Sequence, residues 1–204
     1  MSGLKVLSLF DGISTGRLAL EKLGIPIDTY YTSEIDENAI AISDYHYPDN
    51  VKLGDVTKID FKFLGEIDLL IGGFPCINLS CCGDRKGLEG DYSRLFWECV
   101  RALNECKPKY FFFENVESMT SDDMEIISKE FGCYPCFLNS AVVSAQWRKR
   151  YYWFNFGKKK VKLLGLPTCY VPQPDDKHLV LADILENPVK INRELCLDKP
   201  MRLS

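Results

Sequence analysis

Histidine is almost missing from this chain of 204 residues: only His46 and His178 occur. Cys133-Tyr134-Pro135-Cys136 has the spacing of a zinc or redox half-site, yet no second pair and no suitably placed histidine completes it, so no metal is expected. Long apolar runs are missing as well. Charges or glycines interrupt every one before the about 18 residues that suggest a membrane span. Met1-Ser2-Gly3-Leu4-Lys5-Val6 runs straight into a strand-like stretch with no charged leader, apolar signal core or small-residue cleavage site, which predicts a soluble, unexported, cytoplasmic protein. The nine cysteines are odd in number and scattered through predicted strands and helices, which excludes a disulfide scaffold and favours a reducing compartment. Net positive charge is also lacking, and a formal charge of -4 excludes a surface that is basic all over. Local basic runs remain at Arg148, Lys149 and Arg150 and at Lys158, Lys159, Lys160 and Lys162.

What is present is an alternation. Leu4 to Phe10 reads as a strand, Arg17 to Leu23 as a helix stopped by Gly24, Ile27 to Ser33 as a strand and Glu37 to Tyr45 as a helix. Val51 to Leu53 and Glu66 to Gly73 are further strands. A helix from about Tyr92 to Cys106 carries Leu95, Cys99, Ala102 and Leu103 at helical spacing. Lys109 to Phe113 is a strand, Asp122 to Phe131 a helix, and Phe137 to Val143 with Tyr151 to Gly157 a closing strand pair. This order predicts an α/β fold, Rossmann-like and doubly wound, with a mostly parallel sheet between helices and an antiparallel closing pair. Residues 1–157 form one domain in this reading. Residues 158–204 are an irregular, proline-punctuated tail with one short helix at Leu179 to Glu186.

The loop Phe10-Asp11-Gly12-Ile13-Ser14-Thr15-Gly16 joins the first strand to the first helix, where a doubly wound sheet turns a nucleotide-like ligand toward a helix amino terminus. It has neither the three-glycine dinucleotide spacing nor the Gly-Lys-Ser/Thr of a phosphate loop. Asp11 suits an ammonium or hydroxyls. Glu34 follows it by 23 positions at the end of the second strand, close to where a carboxylate takes ribose hydroxyls, and Asp55 ends the third strand. Three acids at successive strand ends fit an adenosine-containing ligand without phosphates, S-adenosyl-L-methionine above all. The alternative is that each acid caps a helix or turn.

Cys76 lies just past an apolar strand and Glu114 at the end of another, so a thiol and a carboxylate converge at the carboxyl edge of the sheet if those strands are neighbours. That pairing suggests a covalent nucleophile working beside an acid. Phe74-Pro75-Cys76-Ile77-Asn78-Leu79-Ser80, Glu114-Asn115-Val116 and Gln146-Trp147-Arg148-Lys149-Arg150, in that order behind the loop, resemble the DNA (cytosine-5) methyltransferases, from Leu4 to about Gly157. Leu9-Phe10-Asp11-Gly12-Ile13, Arg85-Lys86-Gly87-Leu88, Arg94-Leu95-Phe96 and Val143-Ser144-Ala145 resemble the catalytic domain of the de novo type.

The resemblance implies a fold of the S-adenosylmethionine-dependent methyltransferase type and a role for each residue. Cys76 would add to C6 of cytosine, because C5 is a poor nucleophile until that addition makes it enamine-like. Glu114 would hold the N3 and N4 edge and supply a proton, and Arg148 and Arg150, alternating on a strand, would reach the base, the sulfur or a phosphate. Ser80 and Asn115 would support the cysteine loop and the glutamate. The cofactor would be held by Phe10 to Gly16, Glu34, Ile35, Asp55, Val56, Pro75 and Leu95. Double-stranded DNA would be the partner, its target base flipped out of the stack, and the glycine-rich loop from Cys81 to Gly90 would close over it.

The chain departs from the family at Ile77, where many bacterial members have Gln, and at Gln146-Trp147, which stands where the de novo type has Ala-His. A target recognition region, an Arg-rich segment and a final helix with an Asn-Ser-Val type signature are not found before Ser204. A second chain supplying the recognition region is therefore expected, with a truncated copy or a fragment as alternatives. Two other readings stand beside the enzyme: a non-catalytic regulatory subunit or pseudoenzyme, and a small-molecule methyltransferase, which has no need of this Pro-Cys, Glu-Asn-Val and Arg-x-Arg combination.

Overall fold

Leu4–Leu9 forms β1, buried over its last four residues as a strand flanked on both sides must be. Our computed structural model describes residues 3–75, 94–157, 159–161 and 165–184. The elements that follow are α1 (Thr15–Lys22), β2 (Ile27–Ser33), α2 (Glu37–His46), β3 (Val51–Lys52) and β4 (Leu69–Gly73), then α3 (Arg94–Cys106), β5 (Tyr110–Val116), α4 (Ser121–Phe131), β6 (Cys136–Asn139) and β7 (Lys149–Phe154). Short 3-10 turns at Val56–Lys58 and Phe61–Leu64 connect β3 to β4. The seven-stranded sheet has the order β3-β2-β1-β4-β5-β7-β6. Pairings from β3 through β5 are parallel, and β7 runs antiparallel to β5. This is the doubly wound, mostly parallel sheet that the alternation predicts.

Period-two burial in β5 explains how one strand serves two faces. Phe111, Phe113 and Asn115 point to one side and are buried; Phe112 and Glu114 point to the other. The first side is covered by α3 through Phe96, Cys99, Val100 and Ala102 and by α4 through Ile127 and Phe131. Phe131 sits at its centre, stacked on Phe113 at 4.6 Å and in contact with Phe96, Phe111 and Trp153. The second side is held by α1 over Val6, Tyr30 and Leu69.

Three local expectations change. The closing strand ends at Asn139, because the Asn139 side chain accepts from the Ala141 N–H and caps a 3-10 turn at Ser140–Val142. The tail carries an antiparallel pair, β8 (Lys159–Val161) and β9 (Pro167–Cys169), with Pro167 at the first position of its strand, where a missing N–H is tolerated. The tail helix begins later than expected, as α5 (Leu181–Ile184), and residues 185 and 186 lie outside the described residues. Two compact units result, Met1–Leu138 with Lys149–Pro172 and Asn139–Arg148 with Gln173–Ser204. In the smaller unit, Ser140 is bonded to Arg148 and Gln146, and the Lys177 N–H reaches the Val142 carbonyl.

Cys133 and Cys136 are core thiols. Cys169 Sγ donates to Cys133 Sγ at 3.6 Å and accepts from the Phe154 N–H at 3.2 Å. Among the described residues no group of three or more His, Cys, Asp or Glu could hold a metal, and no helix is long and apolar enough to cross a membrane.

Candidate active site

The strand order reverses between β1 and β4, and loops leaving the carboxyl ends of two such strands flank a crevice where open α/β sheets bind ligands. The first loop is tightly turned. Phe10, Gly12 and Ser14 have φ of 54°, 61° and 62°, a left-handed conformation natural to Gly12 but costly for the other two. Glu34 holds this loop to the end of β2: one carboxylate oxygen accepts from Gly12 N–H at 2.8 Å, and the other from the N–H groups of Ile35 and Asp36 at 2.8 and 3.0 Å. Ile35 beside it is 73% exposed, an apolar flank open to a ligand.

Asp11, which the sequence suggested would meet a ligand's ammonium or hydroxyls, turns its carboxyl inward instead. Tyr30 Oη donates to one oxygen at 3.0 Å and Ser14 Oγ to the other at 2.5 Å. Burial pushes its pKa above the ordinary 3.8, against the hydrogen bonds from Ser14, Ser8 and Tyr30. Asp55 caps the turn after β3 by accepting from the Thr57 N–H and hydroxyl at 3.0 and 2.8 Å, and these bonds hold its carboxyl below its ordinary value. Next to it, Arg101 of α3 donates to the carbonyls of Val56 and Ile59 at 2.9 and 2.8 Å and lies over the Phe61 ring. The guanidinium thus ties the third loop to the helix whose first turn carries Leu95.

Asp11, Gly12, Thr32, Glu34 and Gly54 share a cavity of about 230 Å³ with Ile40, Ser43, Asp44 and Lys52 of α2 and β3. A larger hollow of about 600 Å³ is apolar and lies away from these strand ends, along α1 and the opposite halves of β1, β4 and β5, lined by Leu4, Leu20, Leu69, Tyr110 and Phe112 among others. It has no chemistry in it. The strand-end cavity is the polar one, with the Glu34 carboxylate in its wall at the carboxyl edge of the sheet, where open α/β sheets bind ligands.

On the other side of the switch point, β4 and β5 are neighbours, with Gly73 in register with Glu114. Asn115, 1% exposed, donates its side-chain amide to the Phe74 carbonyl at 2.9 Å while its Oδ1 accepts from Val116 N–H at 2.8 Å. The segment Phe74-Pro75 is therefore fastened to the Glu-Asn-Val corner. Glu114 lies opposite Tyr152 and Arg150 opposite Val116, which puts Glu114 and Arg150 diagonally on one face. Arg150 Nε donates to Glu114 Oε1 at 2.8 Å, and Nη1 donates to the Lys149 carbonyl. Strand β7 begins at Lys149, so Arg148 precedes it and belongs to the smaller unit, where its N–H donates to Asn139 Oδ1.

Glu34, Asp55, Pro75, Glu114 and Arg150 thus lie at one edge of one sheet. Cys76, Ser80, Arg85, Lys86 and the loop to Gly90 lie outside the described residues. Sequence reasoning missed Tyr30, Ser43 and Arg101. Only Ser43 carried a local signal, three positions from Ile40 on one face of α2.

Comparison with known proteins identifies the family. Residues 4–202 match the family of C-5 cytosine-specific DNA methylases, which carries the likeness past Gly157. The orphan methyltransferase M.Rho11sI of Bacillus phage rho11s is 42% identical over 125 residues, 60% of this chain and 25% of that protein. The type II methyltransferase M.NgoBV of Neisseria gonorrhoeae is 35% identical over 136 residues, 65% of this chain and 32% of that protein. For M.HhaI of Haemophilus parahaemolyticus, also a type II methyltransferase, the figures are 29% over 195 residues, 91% and 58%. The matches span only 25% to 58% of these relatives' lengths. A solved structure of a prophage-encoded protein from E. coli, described as a DNA modification methyltransferase, shares the fold with a TM-score of 0.61 at 24% identity, covering 74% of this chain and 46% of that one.

Proposed function

The chain belongs to the C-5 cytosine-specific DNA methylases, and from that premise we propose that it transfers a methyl group to C5 of cytosine in double-stranded DNA through a bond between Cys76 and C6. The observation that carries this reading is the Asn115 amide on the Phe74 carbonyl, with Arg150 on Glu114 beside it. The first fastens the segment leading into the thiol to the corner that bears the acid, and the second holds the acid itself.

In this reading the Cys76 thiolate forms a bond to C6 while the Glu114 carboxyl gives a proton to N3, so the ring remains neutral as C5 becomes nucleophilic. Arg150 orients Glu114 through its Nε. After C5 is methylated, loss of the C5 proton to a base lets the C6–S bond break, which returns the thiolate, and N3 gives its proton back to Glu114. S-adenosylmethionine, when bound, supplies an electrophilic methyl on a sulfonium. Glu34 would take the ribose hydroxyls, Asp55 the adenine amino group, and Ile35, Val56, Pro75 and Leu95 would flank the rings, with the Phe10 to Gly16 loop beneath. Asp11 enters through its backbone, since its carboxyl faces inward. A base in a duplex must be flipped out to meet the thiol, and the basic runs from Arg148 onward would contact phosphates without reading sequence.

Because the relatives are longer, this chain's activity includes a second possibility, action together with a complementing chain that supplies target recognition. The test is trapping. Incubation with S-adenosylmethionine and duplex DNA carrying 5-fluorocytosine blocks loss from C5, so a covalent protein–DNA adduct accumulates. Wild type should give the adduct and Cys76→Ser should not. DNA binding without adduct, with or without a second chain, overturns the enzymatic reading in favour of a regulatory subunit.

A further inference from the structure

Ser14 occupies the cap position of α1, but its hydroxyl makes no bond to that helix. Serine at such a position ordinarily caps the first turn. Here Ser14 Oγ donates to Asp11 at 2.5 Å, stands 2.7 Å from Ser43 Oγ and accepts from Asn50 Nδ2 at 3.0 Å. Its single proton is committed to Asp11, so Ser43 must donate to it, and the hydroxyl has one donor and two acceptor positions filled, all it can have. Ser14 is completely buried, and Asp11, Ser43 and Asn50 are buried with it. Arg17 closes the group from α1 by donating to Asn50 Oδ1 at 2.5 Å and to Asp49 at 2.8 Å.

The same residue carries a left-handed backbone at φ 62° and ψ 35°. An L-residue other than glycine adopts that conformation only where its surroundings over-determine it. Three side chains, from the loop, from α2 and from the residue before β3, converge on one hydroxyl to do so, and Arg17 of α1 holds the third of them. The Ser14 carbonyl accepts from the Leu18 N–H, the first bond of α1, and the Ser14 N–H returns to the Asp11 carbonyl. Holding Ser14 therefore sets both the turn of the Phe10 to Gly16 loop and the direction in which α1 leaves it.

We propose that Ser14 is a positioning residue for the cofactor. Locked by Asp11, Ser43 and Asn50, it holds the loop in the shape that binds S-adenosylmethionine without touching the cofactor through its own side chain. This rests on the methyltransferase reading and adds to it a second layer, Ser14, Asn50 and Tyr30, behind the residues that line the cavity, with Ser43 joining the two. Ser14→Ala removes the hydroxyl and leaves a residue that disfavours φ near +60°; Ser14→Gly removes the hydroxyl but accepts that φ freely. The two variants separate the lock from the backbone shape.

The measurement is the Kd of S-adenosylmethionine and S-adenosylhomocysteine by calorimetry on the full chain, with melting temperature recorded without ligand. When only a fraction of molecules hold the competent loop, Kd rises by the reciprocal of that fraction. About a tenfold rise for Ser14→Ala and about threefold for Ser14→Gly are expected. A purely structural serine would lower the melting temperature and leave both Kd values within twofold of wild type, which overturns the positioning role while leaving the methyltransferase reading intact. Wild type that binds neither ligand overturns both. If Ser14→Ala does not fold, Ser14→Gly decides alone: at least a twofold rise supports the lock, and an unchanged Kd refutes it.

Discussion

Asn115→Asp tests the joint between the Phe74-Pro75 segment and the Glu114 corner, because it exchanges the amide nitrogen for an oxygen with almost no change in volume. In the native protein the amide donates to the Phe74 carbonyl and Oδ1 accepts from Val116 N–H, at a site 1% exposed. An ionised carboxylate there would still accept from Val116 but would face the Phe74 carbonyl with no hydrogen to offer. An unpartnered buried charge costs about 3–5 kcal/mol. At about 1.4 kcal/mol for each tenfold change in proton affinity, that cost moves the titration of the introduced carboxyl from the ordinary aspartate range to near neutrality. The protonated form restores the donor. Since the folded state then holds its proton more tightly than the unfolded one, stability close to wild type is retained below about pH 4 and lost as pH rises through neutrality, by about 4 kcal/mol in total. Urea unfolding of wild type and variant at pH 4, 6 and 8 gives the difference directly, and the trapping assay run at pH 6 and 8 follows the joint's effect on chemistry. A stability difference that is flat across this range, or absent at pH 8, would refute the argument that this amide holds the Phe74-Pro75 segment.

Phe131→Ala should destabilise by about 3–5 kcal/mol in urea unfolding, because the ring meets Phe113, Phe96, Phe111 and Trp153 in a buried cluster; a loss under 1 kcal/mol would mean the cluster closes over the gap. Arg101→Met strips the Val56 and Ile59 carbonyls of a charged donor and should cost about 2 kcal/mol, with S-adenosylmethionine bound more weakly. An unaltered Kd would show that α3 does not brace the third loop. Asp11→Asn should flatten part of the pH dependence of unfolding. The folded-state pKa of Asp11 is raised by burial, so relative to the variant, wild type loses stability as pH rises from 3.8 through the folded-state value. A difference between the two proteins that does not change with pH above 3.8 contradicts this.

What the sequence determined by itself was local and periodic. Strand–helix alternation, glycine punctuation and the ordered Phe-Pro-Cys, Glu-Asn-Val and Arg-x-Arg stretches suffice for a doubly wound sheet with a tight loop after β1 and an acid at the end of β5, because side-chain period and turn chemistry are properties of neighbouring residues. The β8–β9 pair escaped the same logic, since three-residue strands are too short to show a period. Tertiary structure alone decided how the acids are used: Asp11 faces inward to Tyr30 and Ser14, and Glu34 clamps Gly12. It alone paired Asn115 with Phe74 across 41 positions, Arg150 with Glu114 across 36 and Arg101 with Val56 across 45. Those contacts follow from strand order and register, which are set by burying the whole sheet between its helices, and no stretch of neighbouring residues encodes them.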